Sequence, residues 1–541
     1  MHRAHSVFVA IVIATAVTIG SAHAKTIEFD AATIADINAA FDAGTLTSEA
    51  LTKMCLARIE AFDRKGPKLH AVIFLNPKAV EQARTLDVER KAKGKRSPLH
   101  GIPVVLKDNY DTFDMPTTGG SILLEGSIPS KDAFVVKKLR DAGAIILAKV
   151  NMSEFASGGT FSSLGGQSLN PHDLARGPSG SSGGTGVAIA AAYAPIGMGT
   201  DTGGSIRGPA TTNGIAALKP THGLLSRSGI IPLALSFDTG GPMARSVYDV
   251  AAALGIMTGI DPADSATSKS DGKSVADYVK GLNANALKGA RIGVARDFMG
   301  TDPDVDWVIE AALAAMRKAG ATLVDVRYPK WLLDAKGEFY TAVRYPEFAV
   351  QIAEYLKGTG PKYPKSLAEM VERANQFTST RDDGARPNPS RWTLFKRELE
   401  APPTSDYRYK AVHDYALPLV RATVDGMLDA QQLDAIVYPT SSRRPGLIAA
   451  TAGAGATVAS ALAAGGLSAT DIANLTGFPD LIVPAGFTGD SLPVGISFVG
   501  RAFSEEKLLS LGYSFEQTTK ARRRPVHTPA LPGEAVSVPG S

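Results

Sequence analysis

Apolar and polar positions alternate along this chain in a way that predicts helices and strands in turn. Residues 48–62 and 132–142 carry apolar side chains at helical spacing, whereas short apolar runs at 71–75, 102–106 and 145–148 indicate strands. Helices that follow strands in this manner cover the faces of a sheet. The pattern therefore predicts the α/β class.

The same pattern recurs further along, where a helix at 305–319 ends at Gly320 and a strand follows at 322–326. No long linker rich in Pro, Ser or Gly divides the chain. We therefore expect a single domain over residues 25–541, built on one large mixed β-sheet with helices on both faces. Its Pro/Arg-rich tail begins at about residue 522, and the arginines at 522–524 are interpreted as a solvated end.

Two further segments have a distinctive composition. Residues 335–430 are helical in pattern, charged and rich in Tyr and Arg, which suggests a lid over a functional site. Residues 446–470 are rich in Ala and Gly, and a helix plus a loop is expected there.

The first residues have the pattern of an export signal. A short basic start precedes an apolar run from Val7 to about Gly20, and Ala22-His23-Ala24 has the small-x-small form of a cleavage site. We expect residues 1–24 to be a signal peptide and the mature protein to be periplasmic or secreted. An uncleaved membrane anchor is the alternative, but the apolar run is short for a span. No stable membrane anchor is therefore expected after cleavage.

Composition narrows the classes of partner. The chain is 44% hydrophobic and 20% charged, with a net charge of +4 that is spread along its length. Such mild basicity gives no reason to expect a nucleic-acid partner. Cys55 is the only cysteine, so no intrachain disulfide can form, and its helical spacing predicts a position in the core.

The chemistry is suggested by two serine-bearing glycine stretches, GSSGG at 180–184 and DTGGS at 201–205, downstream of Lys107. Acyl transfer needs a nucleophile, a base and donors for an oxyanion. Lysine acts as a base only when it is neutral, which burial favours. Lys107 directly follows the apolar strand 102–106, so a buried strand-end position is expected. A lysine with its amine in water is the alternative.

The glycines of the second stretch predict an oxyanion site. The N–H groups of Thr202, Gly203 and Gly204 could hold a developing oxyanion, and losing one such donor typically costs about 3 kcal/mol. Asp201 and Arg207 flank this stretch and are expected to pair across it. If they formed only a surface ion pair, it would contribute about 0–1 kcal/mol. From residue type alone, either Ser181 or Ser182 could instead cap a helix, which is the usual role of a serine in this position.

Other catalytic classes fit less well. The G-x-S-x-G match at 180–184 lacks the preceding strand that a nucleophile elbow needs, because residues 170–178 are polar. A Ser-x-x-Lys match at 270–273 lies in a polar loop rather than at the start of an apolar helix. The nine histidines show no metal-binding spacing, so no metal is expected.

Taken together, these stretches resemble the amidase signature family. The resemblance rests on segments 101–109 (GIPVVLKDN), 170–185 (NPHDLARGPSGSSGGT) and 199–210 (GTDTGGSIRGPA). Segments 434–440, 474–479 and 492–495 are also typical of the family, so the resemblance spans residues 30–520 approximately. It implies the amidase signature fold.

The resemblance also implies roles for individual residues. Ser205 would be the nucleophile, Ser181 a bridging serine on a cis peptide, and Lys107 the final base. Ser181 is preferred to Ser182 because it precedes Ser205 by 24 residues, the separation that the family uses. Ser182, Asp201 and Arg207 would then support the site or the substrate. No cofactor is implied.

The implied activity is hydrolysis of a carboxamide to a carboxylate and ammonia or an amine. The substrate would be a small-molecule or peptide amide. Residues 41–44 and 59–64 are similar to exported bacterial peptide amidases, so C-terminal peptide amides are favoured. Expected export disfavours a role on tRNA. The alternatives are an esterase or aryl acylamidase with the same triad, or a non-catalytic binding protein of this fold.

Overall fold

The computed structural model describes residues 25–448 and 469–539. The expected signal peptide, residues 1–24, lies outside the described residues. So does most of the Ala/Gly-rich segment 446–470, including the helix and loop expected there.

The strands are short, and they are distributed along the whole described chain. They are β1 Lys25–Glu28, β2 Val72–Leu75, β3 Pro103–Lys107, β4 Ile145–Val150, β5 Phe161–Ser162, β6 Gly166–Gln167, β7 Ile196–Asp201, β8 Ala216–Lys219, β9 Thr239–Ala244, β10 Arg291–Ala295, β11 Thr322–Val326, β12 Ala435–Pro439, β13 Asp480–Phe487, β14 Pro493–Val499 and β15 Ala535–Val538.

One large mixed sheet organises the molecule. Within the described residues its eleven strands follow the order β11-β10-β12-β14-β13-β8-β9-β7-β3-β4-β2. The pairs β3–β7, β3–β4, β10–β11 and β10–β12 are parallel, whereas the pairs from β12 through β14, β13, β8 and β9 to β7 are antiparallel. Strand β1 pairs with β15 and β5 with β6, both antiparallel. The prediction of one large mixed α/β sheet is confirmed.

Helices connect these strands. They are α1 Ile34–Asp42, α2 Ser48–Arg58, α3 Ala79–Lys93, α4 Phe134–Asp141, α5 Gly183–Ala190, α6 Arg207–Thr212, α7 Val247–Met257, α8 Pro303–Lys318, α9 Lys330–Leu356, α10 Leu367–Gln376, α11 Pro389–Leu399, α12 Tyr407–Lys410, α13 Leu417–Ala430, α14 Thr470–Thr476 and α15 Glu505–Thr519. In the described ranges, no helix combines the length and apolar composition needed to cross a membrane.

Apolar side chains fill both faces of the sheet, as the alternation in β12 demonstrates. Ala435 and Val437 join the larger apolar cluster, which includes α7, α8 and α15. Ile436 and Tyr438 join a second cluster with α9, α13 and α14. Because successive side chains of a strand point to opposite faces, helices cover the sheet on both sides.

Among the helices predicted with bounds, the largest difference lies at the end of α2. The helix expected over 48–62 ends at Arg58, and a π-helical turn, Ile59–Arg64, continues it. Helix α5 begins at Gly183, so the glycine pair of the first serine stretch belongs to its first turn. A Cβ atom at position 184 would lie 2.2 Å from the carbonyl oxygen of Asn151, so tight packing requires glycine there.

The interpretation of residues 522–524 as a solvated end fits Arg523, which is exposed, but it is wrong for Arg522 and Arg524. Arg524 Nη2 lies 2.7 Å from Asp30 Oδ1, and Arg522 Nη2 lies 3.6 Å from the other oxygen of that carboxylate. Pairing of β15 with β1 brings the tail back to the start of the described chain and explains these contacts. The core position predicted for Cys55 is confirmed, since its side chain is fully buried.

Candidate active site

Lys107 ends β3, which lies inside the large sheet between β7 and β4. The three residues before it are apolar and fully buried, and Lys107 itself has no exposed surface. Its Nζ donates to Ser181 Oγ at 2.7 Å and to Thr200 Oγ1 at 2.7 Å. Burial lowers the pKa of Lys107 from 10.5 to about 7. The predicted buried strand-end lysine is confirmed, and the alternative with its amine in water is wrong.

The first serine stretch is fixed between the ends of two strands. The Gly180–Ser181 peptide bond is cis, and the Ser181 carbonyl accepts from the N–H group of Ser153 at 3.0 Å. Ser182 Oγ accepts from the N–H group of Thr200 at 3.2 Å and lies 3.1 Å from the Thr200 carbonyl oxygen, to which it donates. Ser181 is thereby directed at Lys107, while Ser182 links the loop to β7.

The second serine stretch is shaped by a buried ion pair. The Asp201 carboxylate accepts from Arg207 Nε at 3.0 Å and Nη2 at 2.9 Å, and both side chains are fully buried. Arg207 also contacts Asp480 Oδ2 at 2.9 Å. Burial raises the pKa of Asp201, but Arg207 outweighs it and holds that pKa below its usual range. The expected pairing is confirmed, and the surface alternative is wrong.

The ion pair also changes the expected set of oxyanion donors. The N–H group of Gly204 donates to Asp201 Oδ1 at 2.8 Å, so it could serve a substrate oxygen only by sharing or leaving that bond. Within the described residues, no acceptor takes the N–H groups of Thr202 or Gly203. Tyr340 Oη, from α9, lies where it would be 2.9 Å from a Cβ atom at position 203. Part of the suspected lid region therefore lies against this loop.

Ser205 lies at a partly exposed position. The Ser205 carbonyl accepts from the N–H group of Ser182 at 3.1 Å, which joins the two loops through their backbones. In the part of the chain that the structure describes, the two hydroxyls of Ser181 and Ser205 do not hydrogen-bond to each other. The fold thus brings Lys107 and Ser181 into direct contact and leaves Ser205 accessible.

Sequence reasoning did not find several residues that shape this site. Thr200 accepts from Lys107, and Asn109 Nδ2 donates to the same Thr200 hydroxyl at 3.0 Å. Both are adjacent to recognised residues, so their positions carried a usable signal. Asp238 and Tyr340 reach the loop from distant segments, and no local spacing indicated them. Among the described residues, no three His, Cys, Asp or Glu side chains are grouped to hold a metal ion.

Comparisons with known proteins relate most of the chain to amidases and to amidotransferase subunits. The sequence profile described as Amidase matches residues 50–509. A glutamyl-tRNA(Gln) amidotransferase subunit from Halorhodospira halophila is 36% identical over 90% of this chain and 97% of its own. A probable amidase from Arabidopsis thaliana is 33% identical, over 93% of this chain and 92% of its own. The X-ray structure of a native peptide amidase from Stenotrophomonas maltophilia is 38% identical, with a TM-score of 0.80 over 92% of this chain and 99% of that one.

Within the described residues, an eleven-stranded mixed sheet covered by helices on both faces defines a protein of the α/β class. The chain belongs to the amidase family, and it hydrolyses amide bonds.

Proposed function

We propose that this amidase cleaves its substrate through Ser205, Ser181 and Lys107 and forms an acyl-enzyme. The observation that carries the proposal is the 2.7 Å contact between Lys107 Nζ and Ser181 Oγ in fully buried surroundings. A lysine whose pKa is about 7 is neutral in a large fraction of molecules at neutral pH, so it can accept a proton.

The reaction would proceed as two acyl transfers. Neutral Lys107 takes the proton of Ser181, which takes that of Ser205, and Ser205 Oγ attacks the amide carbon. N–H groups of the 202–204 loop stabilise the oxyanion, and the relay returns a proton to the departing nitrogen. Water then attacks the ester of Ser205 by the same route, and the carboxylate leaves. The serine-to-serine step requires the Ser205 side chain to turn towards Ser181 when substrate binds.

For the substrate we infer a C-terminal peptide amide or a small carboxamide. The likeness to the peptide amidase from Stenotrophomonas maltophilia over almost the full length of both chains supports the peptide class. No metal or cofactor is needed by the proposed steps. We further propose that the enzyme acts after export, with residues 1–24 removed, without a nucleic-acid partner or a stable membrane anchor.

A panel of substrates tests these proposals. Full-length protein is expressed, its exported form is purified, and the mature N-terminus is determined by mass spectrometry. Ammonia release from peptide amides, small aliphatic amides and aryl amides is then compared with alcohol release from matched esters. Faster turnover of peptide amides is expected. Faster turnover of the esters would instead favour an esterase.

Covalent labelling separates an enzyme from a binding protein of the same fold. A fluorophosphonate is expected to label Ser205 in the parent protein and to leave Ser205→Ala unlabelled. The labelled residue is identified by peptide mass spectrometry. Labelling at Ser182, or at no serine, would contradict the proposed mechanism.

A further inference from the structure

A small cavity adjoins Thr200, the residue that accepts a hydrogen bond from Lys107. Its wall includes Asn109, Thr202 and Asp238 together with apolar side chains of the 230–235 segment. Asp238 is buried, and the proposed reaction gives it no task.

The two carboxylate oxygens of Asp238 have different partners. Oδ2 accepts from the N–H groups of Leu233 and Ala234, at 2.8 and 3.0 Å, and so closes the turn that precedes β9. Oδ1 accepts from Thr202 Oγ1 at 2.5 Å. Thr202 is the first residue after β7. It begins the loop 202–205, here called the nucleophile loop because it ends at Ser205. The Asp238 carboxylate, in the 233–238 turn, therefore holds the side chain of Thr202 at the start of that loop.

Two aspartates thus clamp the loop from different sides. Asp201 takes the N–H groups of Gly204 and Ile206, at 2.8 and 2.9 Å. Asp238 accepts from the Thr202 hydroxyl. The N–H groups of Thr202 and Gly203 can then donate to a substrate oxygen. If the Thr202 side chain were released, these two N–H groups would lose their fixed direction, which an oxyanion site requires.

The two aspartates have different partners but the same electrostatic effect on Lys107. Asp201 is paired directly with Arg207, whereas Asp238 accepts only from a hydroxyl and two N–H groups. Both carboxylates favour the protonated form of Lys107, against the larger effect of burial.

Other titratable groups face Asp238 from neighbouring elements. The charge of Arg227, in the preceding loop, opposes the rise that burial causes in the pKa of Asp238. From α9, Tyr340 faces Asp238; burial raises the pKa of that phenol, and the charge of Asp238 raises it further. Glu347, also in α9, accepts from the N–H group of Ser236 at 3.0 Å in the same turn.

We propose that Asp238 is a positioning residue of the active site, which fixes the oxyanion side of the nucleophile loop through Thr202 and places a negative charge near Lys107. The proposal rests on the proposed function of Lys107 and Ser205. It assigns a role in catalysis to a residue that touches neither the substrate nor the reacting serine.

Three variants separate the hydrogen bond from the charge. Thr202→Val removes the hydroxyl and keeps the charge of Asp238, whereas Thr202→Ser restores the hydroxyl. Asp238→Asn removes the charge, and its amide nitrogen can still donate to Thr202 Oγ1. We expect kcat to fall about 10-fold or more in Thr202→Val, with little change in KM, and to recover in Thr202→Ser. In Asp238→Asn, the midpoint of the pH profile of kcat/KM should fall by about 0.5–1 unit, because a neutral neighbour disfavours the charged amine.

Asp249→Asn is the matched control. Both aspartates are buried, and burial raises the pKa of each to about 6. Asp249 accepts from the N–H group of Ile34 and from no residue of the site among those described. The control should lower the melting temperature and leave the pH midpoint unchanged. The proposal is overturned if Asp238→Asn keeps the parent's midpoint, if Asp249→Asn shifts it equally, or if Thr202→Val retains full kcat.

The pH dependence of Ser205 labelling by a fluorophosphonate gives a readout that does not depend on amide turnover. A parent protein that is labelled but hydrolyses no amide would contradict only the proposed reaction, and the shift in Asp238→Asn could still be measured. A parent protein that is not labelled at any pH from about 6 to 10 would overturn both proposals.

Discussion

Lys107, Lys149 and Lys219 are all fully buried, but they have different partners. Lys149 lies 3.2 Å from Asp108 Oδ1, which favours a charged amine. Lys219 donates to the carbonyl oxygens of Phe478 and Pro220, at 2.7 and 3.0 Å. Lys107 donates to a serine hydroxyl instead. At the scale of the residue, therefore, burial lowers the pKa of more than one lysine. Only the amine of Lys107, among these three, contacts a serine that the proposed reaction uses.

The proposed role of Lys107 predicts the pH dependence of the enzyme. The reactive amine is the neutral one, and burial brings the pKa of Lys107 to about 7. Below that value kcat/KM should fall about 10-fold per pH unit, and above it the rate should level off. Lys107→Met should abolish this activity. Initial rates of ammonia release from about pH 5 to 10 give the profile.

Lys219→Met provides the control, since burial also lowers the pKa of Lys219 to about 7. Its amine donates to two carbonyl oxygens and not to Ser181 or Ser205. This variant leaves two carbonyl oxygens without a donor and should lose about 1–3 kcal/mol of stability, but the pH profile of the folded enzyme should persist. A parent rate that is flat from about pH 6 to 10, or full turnover by Lys107→Met, would remove Lys107 as the base.

At the scale of the element, strands with strong apolar patterns were predictable and those rich in glycine were not. Strand β3, Pro103–Lys107, differs by one residue from the predicted 102–106. Strand β9, Thr239–Ala244, has the sequence TGGPMA, and no strand pattern indicated it. A Cβ atom at position 241 would lie 2.2 Å from the Leu218 carbonyl oxygen, so a neighbouring strand requires the glycine. Here the packing between distant segments, and not the β-propensity of the residues, decides that a strand forms.

The same limit applies to the site. Lys107, Ser181 and the loop at 201–207 were predictable because their spacing and flanking glycines lie within short stretches of sequence. Thr202 was expected only as a backbone donor, whereas its side chain is held by Asp238. Tyr340 reaches the loop from α9, more than a hundred residues further along. Such contacts depend on how the strands are ordered in the sheet, which local patterns do not specify.

The link between α6 and the sheet leads to a prediction about stability. Arg207, the first residue of α6, contacts two buried carboxylates, Asp201 and Asp480. Arg207→Met would leave both without their cation and should lower the free energy of unfolding by about 3–5 kcal/mol. The folded-state pKa of Asp201 is depressed, so this stabilisation is present above the unfolded pKa near 4 and is lost as pH falls. Parent and variant should therefore converge in acid.

Chemical denaturation at neutral pH and in acid measures this difference. Arg381→Met is the control, because Arg381 forms a partly exposed pair with Glu125 at 2.7 Å. Its loss should change stability by about 0–1 kcal/mol. Equal effects of the two substitutions would show that burial of the Arg207 network adds nothing to stability.

At the scale of the whole molecule, a buried arginine adds to the contacts that hold the last described segment in place. Arg58, the last residue of α2, contacts Glu534 Oε2 at 2.6 Å, and it donates to the carbonyl oxygens of Thr528 and Ala191 at 3.0 and 2.7 Å. Residue 534 immediately precedes β15, which pairs with β1. Arg58 therefore fixes the segment that carries the partner of the first strand, and none of these hydrogen bonds is to Lys107 or Ser205.

Arg58→Met should release both terminal strands without altering the active site. Loss of the guanidinium leaves Glu534 without its cation and removes the donor of several carbonyl oxygens, so the free energy of unfolding should fall by about 3–5 kcal/mol. Amide hydrogen exchange should accelerate in β1 and β15 more than in β3 and β7, because local opening begins where contacts have been lost. The kcat/KM of the folded enzyme should stay at the parent value. Arg84→Met, which removes an exposed partner of Glu49, should change neither exchange nor stability appreciably. Uniform acceleration across all strands would instead mean that the ends do not open independently of the sheet.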